Sequence, residues 1–496
     1  MRCRRSAVFF ACLGVLALAG FSSVLLITSR FGPGLSPDSA YYLSAARSFA
    51  AGRGIVTFEG EPMVSWPPLF SVLLATGSIF GADPLPFARF LNAATFGTAI
   101  LLGGFLLARA LRSLTVAVAA AFGIAVSPLL PVSLRVWSEP VFAVLTLVLA
   151  VCLARFLRSG ARAALAACCV VSALTCLQRY IGVAFILPVF ALISSFPATI
   201  PWQRRLRRAG LFVSCALTPL CVWVARNYVL TQTLTGLGLG RSVNLTAFLS
   251  NFVALFSGVA EVLLPVIPTA FGLWVLFPVL LAAAAFSSVR DVVREPEARS
   301  VVLLTGTGLT LGYLLSLALL LTPDYHDSIS RLLTPIAPLL LLVVVVCLER
   351  GAIRLLRRYP KRAVSLVVFV IVIVGFSLRL VHLIPACRDW YDNGNGVYDG
   401  VEWRNSRLLD WLRANPLEGS LYSNDPAAIY LLTGMSARMS PRRTQDPSAS
   451  GIKPGDKLVW FRRVNRPYLY TVEELRQFLV LEEIAFVGEG GVLEFR

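Results

Sequence analysis

Charged residues are scarce in this chain. They make up 15% of its 496 residues, against about 25% in a typical soluble domain. Histidine occurs only 2 times, and no Cys/His spacing typical of a zinc site is present. The 10 cysteines give no disulfide framework, because nearly all of them lie within hydrophobic stretches. No internal repeat is detectable. These absences exclude a soluble globular protein, a disulfide-stapled domain and a repeat array.

Hydrophobic residues, in contrast, make up 57% of the chain, and the mean hydropathy is +0.74. Runs of roughly 20 apolar residues, enough to cross a bilayer, recur along the sequence. The first run, Ala7–Ile27, follows three arginines as a signal peptide would. Its apolar stretch exceeds the roughly 7–15 residues of a signal peptide, and no small-x-small cleavage site follows. We therefore expect a retained membrane anchor.

The fold class predicted is a polytopic α-helical membrane protein with about eleven transmembrane helices. Beyond the anchor, the sequence predicts ten spans: Phe87–Ala108, Ser113–Leu134, Val141–Leu157, Ala163–Leu177, Ile181–Phe196, Ala209–Val224, Pro268–Phe286, Val301–Leu321, Leu332–Cys347 and Val364–Ile384.

The predicted topology explains the net charge of +18. Most arginines lie in short loops between spans, so they indicate a positive-inside arrangement and no nucleic-acid partner. With the N-terminus cytoplasmic, the inside loops include Arg109 with Arg112 and the cluster from Arg350 to Arg362. Eleven spans place the C-terminus outside the plasma (inner) membrane. Ala247–Leu264 contains Asn251 and Glu261, and we expect it to lie as a helix at the outer interface.

Two long regions are predicted to face outward. Residues 29–86 belong to a transmembrane module of residues 1–387 and carry two interfacial helices. The first helix starts at the N-cap Ser36 and Pro37 and ends at Gly52, and the second runs through Leu69–Phe80. Residues 388–496 form a small external α/β domain, with helices at Val401–Arg413, Pro426–Leu432 and Val472–Leu479, strands at 420–424 and Lys457–Arg462, and a hairpin of Ile484–Val487 with Val492–Phe495.

Ionisable residues near the outer ends of the spans are the candidate site, because such groups are costly near a bilayer. They are Asp38, Arg47, Arg89, Arg135, Glu139, Arg179, Arg226, Arg241, Asp324, His326, Asp327 and Arg331.

Each of these residues also has a structural interpretation. Asp38 and Glu139 stand at predicted helix starts, where a carboxylate stabilises the helix dipole whatever the function. Arg179 interrupts two short spans and either pairs with an anion or extends to the interface. Arg226 is open to the same two interpretations, and Arg331 is a further candidate phosphate ligand. A metal site at 324–327 is the minority alternative, because it offers only one histidine.

The order of several motifs resembles the GT-C superfamily of membrane glycosyltransferases, close to protein O-mannosyltransferases and lipid A aminoarabinose transferases (family 39-like). The similarity covers roughly residues 1–384. The motifs are Asp38-Ser39-Ala40-Tyr41-Tyr42, Trp66-Pro67-Pro68-Leu69-Phe70, Arg89-Phe90-Leu91-Asn92, Trp137-Ser138-Glu139-Pro140, Arg179-Tyr180-Ile181-Gly182, Arg226-Asn227-Tyr228, and Arg331 with Pro335 and Pro338.

The resemblance implies a transferase that takes a sugar from a polyprenyl-phosphate carrier at the outer membrane face and passes it to a glycan, lipid or protein acceptor. Asp38 would be the catalytic base. Arg89, Arg226 and Arg331, with Glu139 and Arg179, would form the site for the lipid phosphate. No cofactor is implied, although a divalent metal stays open. Ser39 stands where many relatives have a second acid, so the sequence departs from the protein-mannosylating pattern.

Two other classes of function remain open. A transporter or flippase usually binds its substrate near the bilayer midplane, between repeated halves with broken helices. The short spans on either side of Arg179 favour that class, whereas the outward position of the polar residues does not. The third class is an assembly protein whose external domain binds a partner.

Overall fold

The computed structural model describes residues 2–196, 200–236, 245–263, 276–294, 297–320 and 328–496. The helices in these ranges are α1 Arg2–Ile27, α2 Pro37–Ala50, α3 Leu69–Ala75, α4 Pro84–Ala110, α5 Leu114–Ala125, α6 Leu129–Ser133, α7 Glu139–Ser159, α8 Arg162–Gln178, α9 Ile186–Ser195, α10 Trp202–Thr231, α11 Leu245–Leu263, α12 Leu276–Arg294, α13 Ala298–Leu320, α14 Ile329–Leu333, α15 Ala337–Leu355, α16 Lys361–Asn393, α17 Val401–Arg404, α18 Arg407–Ala414, α19 Pro426–Thr433 and α20 Val472–Leu475.

Within the described ranges, eight helices are long and apolar enough to cross a membrane. The chain is therefore a multi-pass membrane protein. The eight segments are Ser6–Ile27, Pro84–Ala110, Glu139–Ser159, Trp202–Thr231, Thr246–Leu263, Ala298–Leu320, Ile329–Leu355 and Lys361–Asn393.

The predicted count of about eleven spans is not confirmed. The expected helix Ser113–Leu134 is interrupted between α5 and α6, at the position of Pro128, which has no N–H for a helical hydrogen bond. The expected spans Ala163–Leu177 and Ile181–Phe196 correspond to shorter apolar helices. The first part of the expected span Pro268–Phe286 lies outside the described residues, and α12 continues it to Arg294.

Helix α11 covers the segment that is expected to lie at the outer interface, and its position relative to the membrane stays a prediction. It is long and apolar enough to span. Its Asn251 is buried, and the side-chain amide donates to the carbonyl oxygen of Ala318 on α13 at 3.1 Å. The polar group that suggested an interfacial position is thus satisfied within a helix–helix contact, which requires no water.

The chain forms two compact units. The helical unit comprises Met1–Ile27, Val64–Phe70 and Arg89–Arg388. Its core includes the rings of Phe142, Phe185 and Tyr313, whose centroids lie 5.6 to 6.2 Å apart, with Phe185 stacked on both of the others. The Tyr313 hydroxyl donates to the carbonyl oxygen of Leu332 at 2.8 Å, so the ring's polar end is satisfied inside the bundle.

The α/β unit comprises Thr28–Met63, Ser71–Ala88 and Asp389–Arg496. Its five strands are β1 Leu421–Ser423, β2 Arg438–Met439, β3 Lys457–Phe461, β4 Leu481–Val487 and β5 Gly490–Phe495, in the order β2-β1-β3-β5-β4. Strand β1 is parallel to β2 and β3, whereas β5 is antiparallel to β3 and β4. The core contains Tyr422, Leu458, Leu475, Leu493 and Phe495.

Most of the predicted α/β elements are present, with three differences. The expected helix Val401–Arg413 is two helices, because the Ser406 hydroxyl caps a new start by accepting from the N–H of Leu409. The expected helix Val472–Leu479 ends at Leu475. Strand β2 was not predicted, since two residues carry no periodic signal.

The first external region packs in the α/β unit, whereas we expected it to belong to the module of residues 1–387. Its Leu35 N–H donates to Asp399 at 3.0 Å, and the N–H of Val397 donates to the Leu35 carbonyl oxygen at 2.8 Å. Helix α2 starts as predicted, with Ser36 as N-cap and Pro37 at the first position. It ends before Gly52, whose φ of +73° suits glycine.

Candidate functional site: a carboxylate shared by two arginines

Glu139 occupies the first position of α7 and is fully buried in the helical unit. Its Oε1 lies 2.9 Å from Nη1 of Arg179 and 2.7 Å from Nε of Arg331. The two arginine side chains are 19% and 26% exposed, so part of each remains accessible while the carboxylate is buried. The structure therefore brings together three of the residues that the sequence singled out.

Arg179 reaches this point because the chain changes conformation there. Helix α8 ends at Gln178, Arg179 is extended with φ −151° and ψ 138°, and a 3-10 helix follows at Tyr180–Phe185. Nη1 of Arg179 also donates to Ser138 Oγ at 2.9 Å, and Nε2 of Gln178 donates to the Ser138 carbonyl oxygen at 3.0 Å. The end of α8 is thus attached to the residue that precedes Glu139.

Arg331 lies on the short helix α14 and contacts an aromatic ring as well as the carboxylate. Its guanidinium carbon is 3.6 Å from the ring centroid of Trp137, and that of Arg135 is 4.7 Å from the same centroid. Such cation–π contacts fix the plane of a guanidinium. Trp137 therefore orients Arg331, a role the sequence did not reveal.

The charge balance of this cluster favours a bound anion. Two guanidinium groups share one oxygen of Glu139, so the three side chains carry a net positive charge. The other oxygen, Oε2, is buried and has no hydrogen-bond partner in the described part of the chain. Planar guanidinium groups with partly exposed donors are well suited to phosphate.

A second network surrounds the residue that follows Arg179. The Tyr180 hydroxyl donates to the Val64 carbonyl oxygen at 2.6 Å and accepts from Trp223 Nε1 and Asn227 Nδ2, both at 3.1 Å. Nη1 of Arg226 donates to Asn227 Oδ1 at 3.0 Å, and its guanidinium carbon lies 4.5 Å from the Trp223 ring centroid. Arg226 is thus linked through Asn227 and Tyr180 to the segment that carries Arg179.

Arg89 has a different set of contacts. Its Nη2 donates to the carbonyl oxygen of Leu25, near the end of α1. Asn92, one turn further along α4, is buried and donates to the carbonyl oxygen of Arg135. Arg89 therefore stabilises a helix end, while its neighbour Asn92 fixes the segment that leads to Trp137 and Glu139.

Asp38 lies in the α/β unit, in the first turn of α2, and is half-buried. The hydrogen bond at the helix start is made by other residues, since the N–H of Ser36 donates to Ser39 Oγ at 3.0 Å. Ser39, at the position where many relatives have a second acid, is buried and has this structural role.

A cavity of about 660 Å³ lies in the same α/β unit, and its lining includes Tyr41, Glu59, Arg438, Ser440 and Arg442. Tyr41 is one helical turn from Asp38, and its hydroxyl donates to Glu59 Oε2 at 3.3 Å. Burial raises the pKa of Glu59 above 4.5, although the Tyr41 hydrogen bond opposes that shift. The buried Ser440 hydroxyl has no hydrogen-bond partner in the described ranges.

The candidate metal residues Asp324, His326 and Asp327 lie outside the described residues, as does Arg241. Within the described ranges, no group of three His, Cys, Asp or Glu side chains is placed to hold a metal ion. The expectation of no cofactor, with a divalent metal left open, stays untested.

No family model and no curated protein matches this chain. Several solved structures do resemble it. ArnT from Cupriavidus metallidurans in the apo state has a TM-score of 0.57 at 14% identity, covering 99% of this chain and 98% of that one. The same protein bound to undecaprenyl phosphate has a TM-score of 0.52, also at 14% identity, covering 99% and 97%. This chain has the GT-C fold. The predicted superfamily resemblance is confirmed at the level of the fold.

The arabinosyltransferase EmbB from Mycobacterium smegmatis is a further similar structure. It has a TM-score of 0.46 and 15% identity, covering 78% of this chain and 42% of that one. The GT-C fold of the present chain extends over nearly its whole length in the ArnT comparisons.

Proposed function

We propose that the protein is a glycosyltransferase that moves a sugar from a polyprenyl-phosphate donor to an acceptor at the outer face of a cell membrane. The pairing of Glu139 with Arg179 and Arg331 is the observation that carries the proposal, because it leaves a positively charged site on a GT-C fold. ArnT, a structure of similar fold, binds undecaprenyl phosphate.

In this proposal the arginines bind the phosphate, and Glu139 positions them. A carboxylate repels phosphate, so Glu139 acts through Arg179 and Arg331. Both guanidinium groups stabilise the negative charge that develops on the departing phosphate oxygen. Arg226 and Arg89 are proposed to contribute to binding of the same anionic substrate, from positions around Arg179 and Arg331.

Asp38 is the proposed general base. The acceptor oxygen attacks the anomeric carbon while the bond from that carbon to the phosphate oxygen breaks. The acceptor proton passes to the Asp38 carboxylate, and the polyprenyl phosphate leaves with the bonding electron pair. Proton transfer of this kind contributes about 10²–10⁴-fold to a rate.

The cavity beside Tyr41 supports an acceptor that carries hydroxyl groups. Its lining combines carboxylates, arginines, tyrosines and the Ser440 hydroxyl, which has no hydrogen-bond partner among the described residues. Such a mixture of donors and acceptors suits a glycan or a glycolipid headgroup. An extended apolar peptide would leave these groups unpaired.

A flippase is the second candidate, and the break in the helix at Arg179 favours it, since transporters place ionisable residues at broken helices. Proteoliposomes with a labelled polyprenyl-phosphate sugar separate the two functions. A transferase moves the label from the donor lipid to a glycan, glycolipid or protein acceptor supplied outside. If the intact donor moves between leaflets and no sugar reaches any acceptor in a membrane extract, the proposed function is a flippase and not a transferase.

A further inference from the structure

A second basic site lies in the helical unit, away from the residues discussed above. It is a pocket of about 530 Å³, lined by five arginines and three carboxylates, a net charge of +2. The charged lining residues are Arg112, Arg294, Arg299, Arg350, Arg354, Asp291, Glu297 and Glu349.

The pocket lies at the ends of three candidate membrane spans. Ala110 ends one candidate span, Ser300 lies in the first turn of a second, and Ile353 lies near the end of a third. The ends of spans lie at the level of the lipid headgroups. Arg112 follows α4, Arg294 ends α12, Arg299 lies in the first turn of α13 and Arg350 lies near the end of α15. The positive-inside rule predicts the cytoplasmic face for such clusters of arginines at helix ends.

Two of the three carboxylates are engaged in holding the pocket together. Glu349 is 2% exposed and accepts from the backbone N–H groups of Arg112, at 2.9 Å, and Ser113, at 3.2 Å, so its charge fixes the start of α5. Asp291 pairs with Arg350 at 2.9 Å. The side chains of Arg112, Arg294, Arg299 and Arg354 are exposed around this framework.

We propose that this pocket binds a phosphate-bearing anion at the cytoplasmic ends of the helices. Guanidinium groups from the segment after α4, the end of α12, the start of α13 and the end of α15 surround one volume. Their planar donors match phosphate oxygens. The phosphate belongs either to the headgroup of an anionic lipid or to a soluble phosphate compound. Basic pockets between transmembrane helices on this side of a membrane select anionic lipids. The proposal does not depend on sugar transfer.

Native mass spectrometry of the full-length protein, released from nanodiscs of equal parts phosphatidylglycerol and phosphatidylcholine, tests the site. We expect wild type to retain phosphatidylglycerol preferentially. Arg299→Ala with Arg354→Ala should weaken that binding roughly 25-fold, at about fivefold per arginine. Arg158→Ala with Arg162→Ala removes the same charge from exposed positions at the end of α7 and the start of α8, on the same predicted face, and should leave the preference unchanged.

A parallel titration with inorganic phosphate identifies the source of the anion. Thermal stabilisation by inorganic phosphate that the Arg299/Arg354 variant loses assigns a soluble phosphate, whereas retained phosphatidylglycerol alone assigns a lipid. Arg112→Ala with Arg294→Ala serves as a second variant if the first one fails to fold. Equal binding of both probes to the pocket variants and to the Arg158/Arg162 control would overturn the proposal. No sugar donor is present, so that outcome leaves the transferase proposal untouched.

Discussion

Arg331 and Glu139 are 192 positions apart in the sequence, and Nε of Arg331 lies 2.7 Å from Oε1 of Glu139. Arg179 reaches the same oxygen from the end of α8. The start of α7 is thereby joined to two distant segments through one buried carboxylate. Removing Glu139 leaves two guanidinium groups without their counter-charge, whereas removing one arginine leaves a balanced pair and abolishes the excess positive charge. Stability therefore depends most on Glu139, and anion binding depends on having both arginines.

Glu139→Gln should destabilise the protein by about 3–5 kcal/mol, because it leaves two largely buried guanidinium groups without a counter-charge. The measurement is the thermal unfolding midpoint in detergent. Asp410→Asn is the matched control, since Asp410 pairs with Arg413 on the exposed face of α18 and such pairs contribute at most about 1 kcal/mol. Equal midpoint shifts in the two variants would mean that the Glu139 cluster stabilises the protein no more than an exposed ion pair does.

Arg331→Lys should raise KM for the lipid-linked donor roughly tenfold, even though it keeps the positive charge. Lysine has no planar Nε–H to donate to Glu139, and it loses the stacking on Trp137. Steady-state kinetics with a labelled polyprenyl-phosphate sugar measure the effect. Arg158→Lys, at an exposed position, should change nothing. An unchanged donor KM for Arg331→Lys would remove Arg331 from the phosphate site.

Gly396→Ala should destabilise the α/β unit by about 1–3 kcal/mol, as overpacking usually does. A Cβ at this position would lie 1.9 Å from Oδ1 of Asp399 and 2.3 Å from the backbone nitrogen of Leu35. It would therefore disrupt the contact that ties the first external region to the chain after residue 388. At Gly400 the nearest atom to an added Cβ is 3.4 Å away, so Gly400→Ala is the control. Limited proteolysis at residues 28–36 should increase only for Gly396→Ala.

Glu59→Gln should alter how stability depends on pH. Burial raises the pKa of Glu59 above its unfolded value of 4.5, so the folded protein takes up the proton first as the pH falls. The stability that this proton provides is fully present below pH 4.5 and is lost as the pH rises through the folded pKa. The variant should consequently gain stability over wild type at pH 7.5, and that gain should shrink towards pH 4.5.

Unfolding midpoints measured across this pH range test the expectation. Glu418→Gln removes an exposed carboxylate from the same unit and should run parallel to wild type. A Glu59→Gln curve that is also parallel to wild type would contradict the role assigned to Glu59.

Local features of the fold were predictable from the sequence, because they depend on neighbouring residues. Ser36 and Pro37 predicted the start of α2, and the Gly-rich turn predicted the hairpin of β4 and β5. The break between α5 and α6 was missed because the apolar run continues through it, although Pro128 marks the position.

The site was only partly predictable. Glu139, Arg179 and Arg331 were candidates individually, but nothing in the sequence indicates that they share one oxygen atom. The alternatives for Glu139, a helix-start acid or a functional group, could not be separated because the local sequence satisfies both. The structure adds the long-range partners. Trp137 contacts Arg331, and Tyr180 is hydrogen-bonded to Asn227, the partner of Arg226. The only sequence signal for these two positioning residues was that both lie within the GT-C-like motifs.

Turnover of Asp38→Asn tests the central claim most directly. The account predicts that this variant binds a polyprenyl-phosphate donor as wild type does but transfers sugar about 10²–10⁴-fold more slowly, because the acceptor proton has no base to receive it. Ser36→Ala is the control for a purely structural role, since it weakens the same helix start by about 1 kcal/mol and leaves the carboxylate in place. Full transfer by a well-folded Asp38→Asn protein, or an equal loss in both variants, would contradict the account.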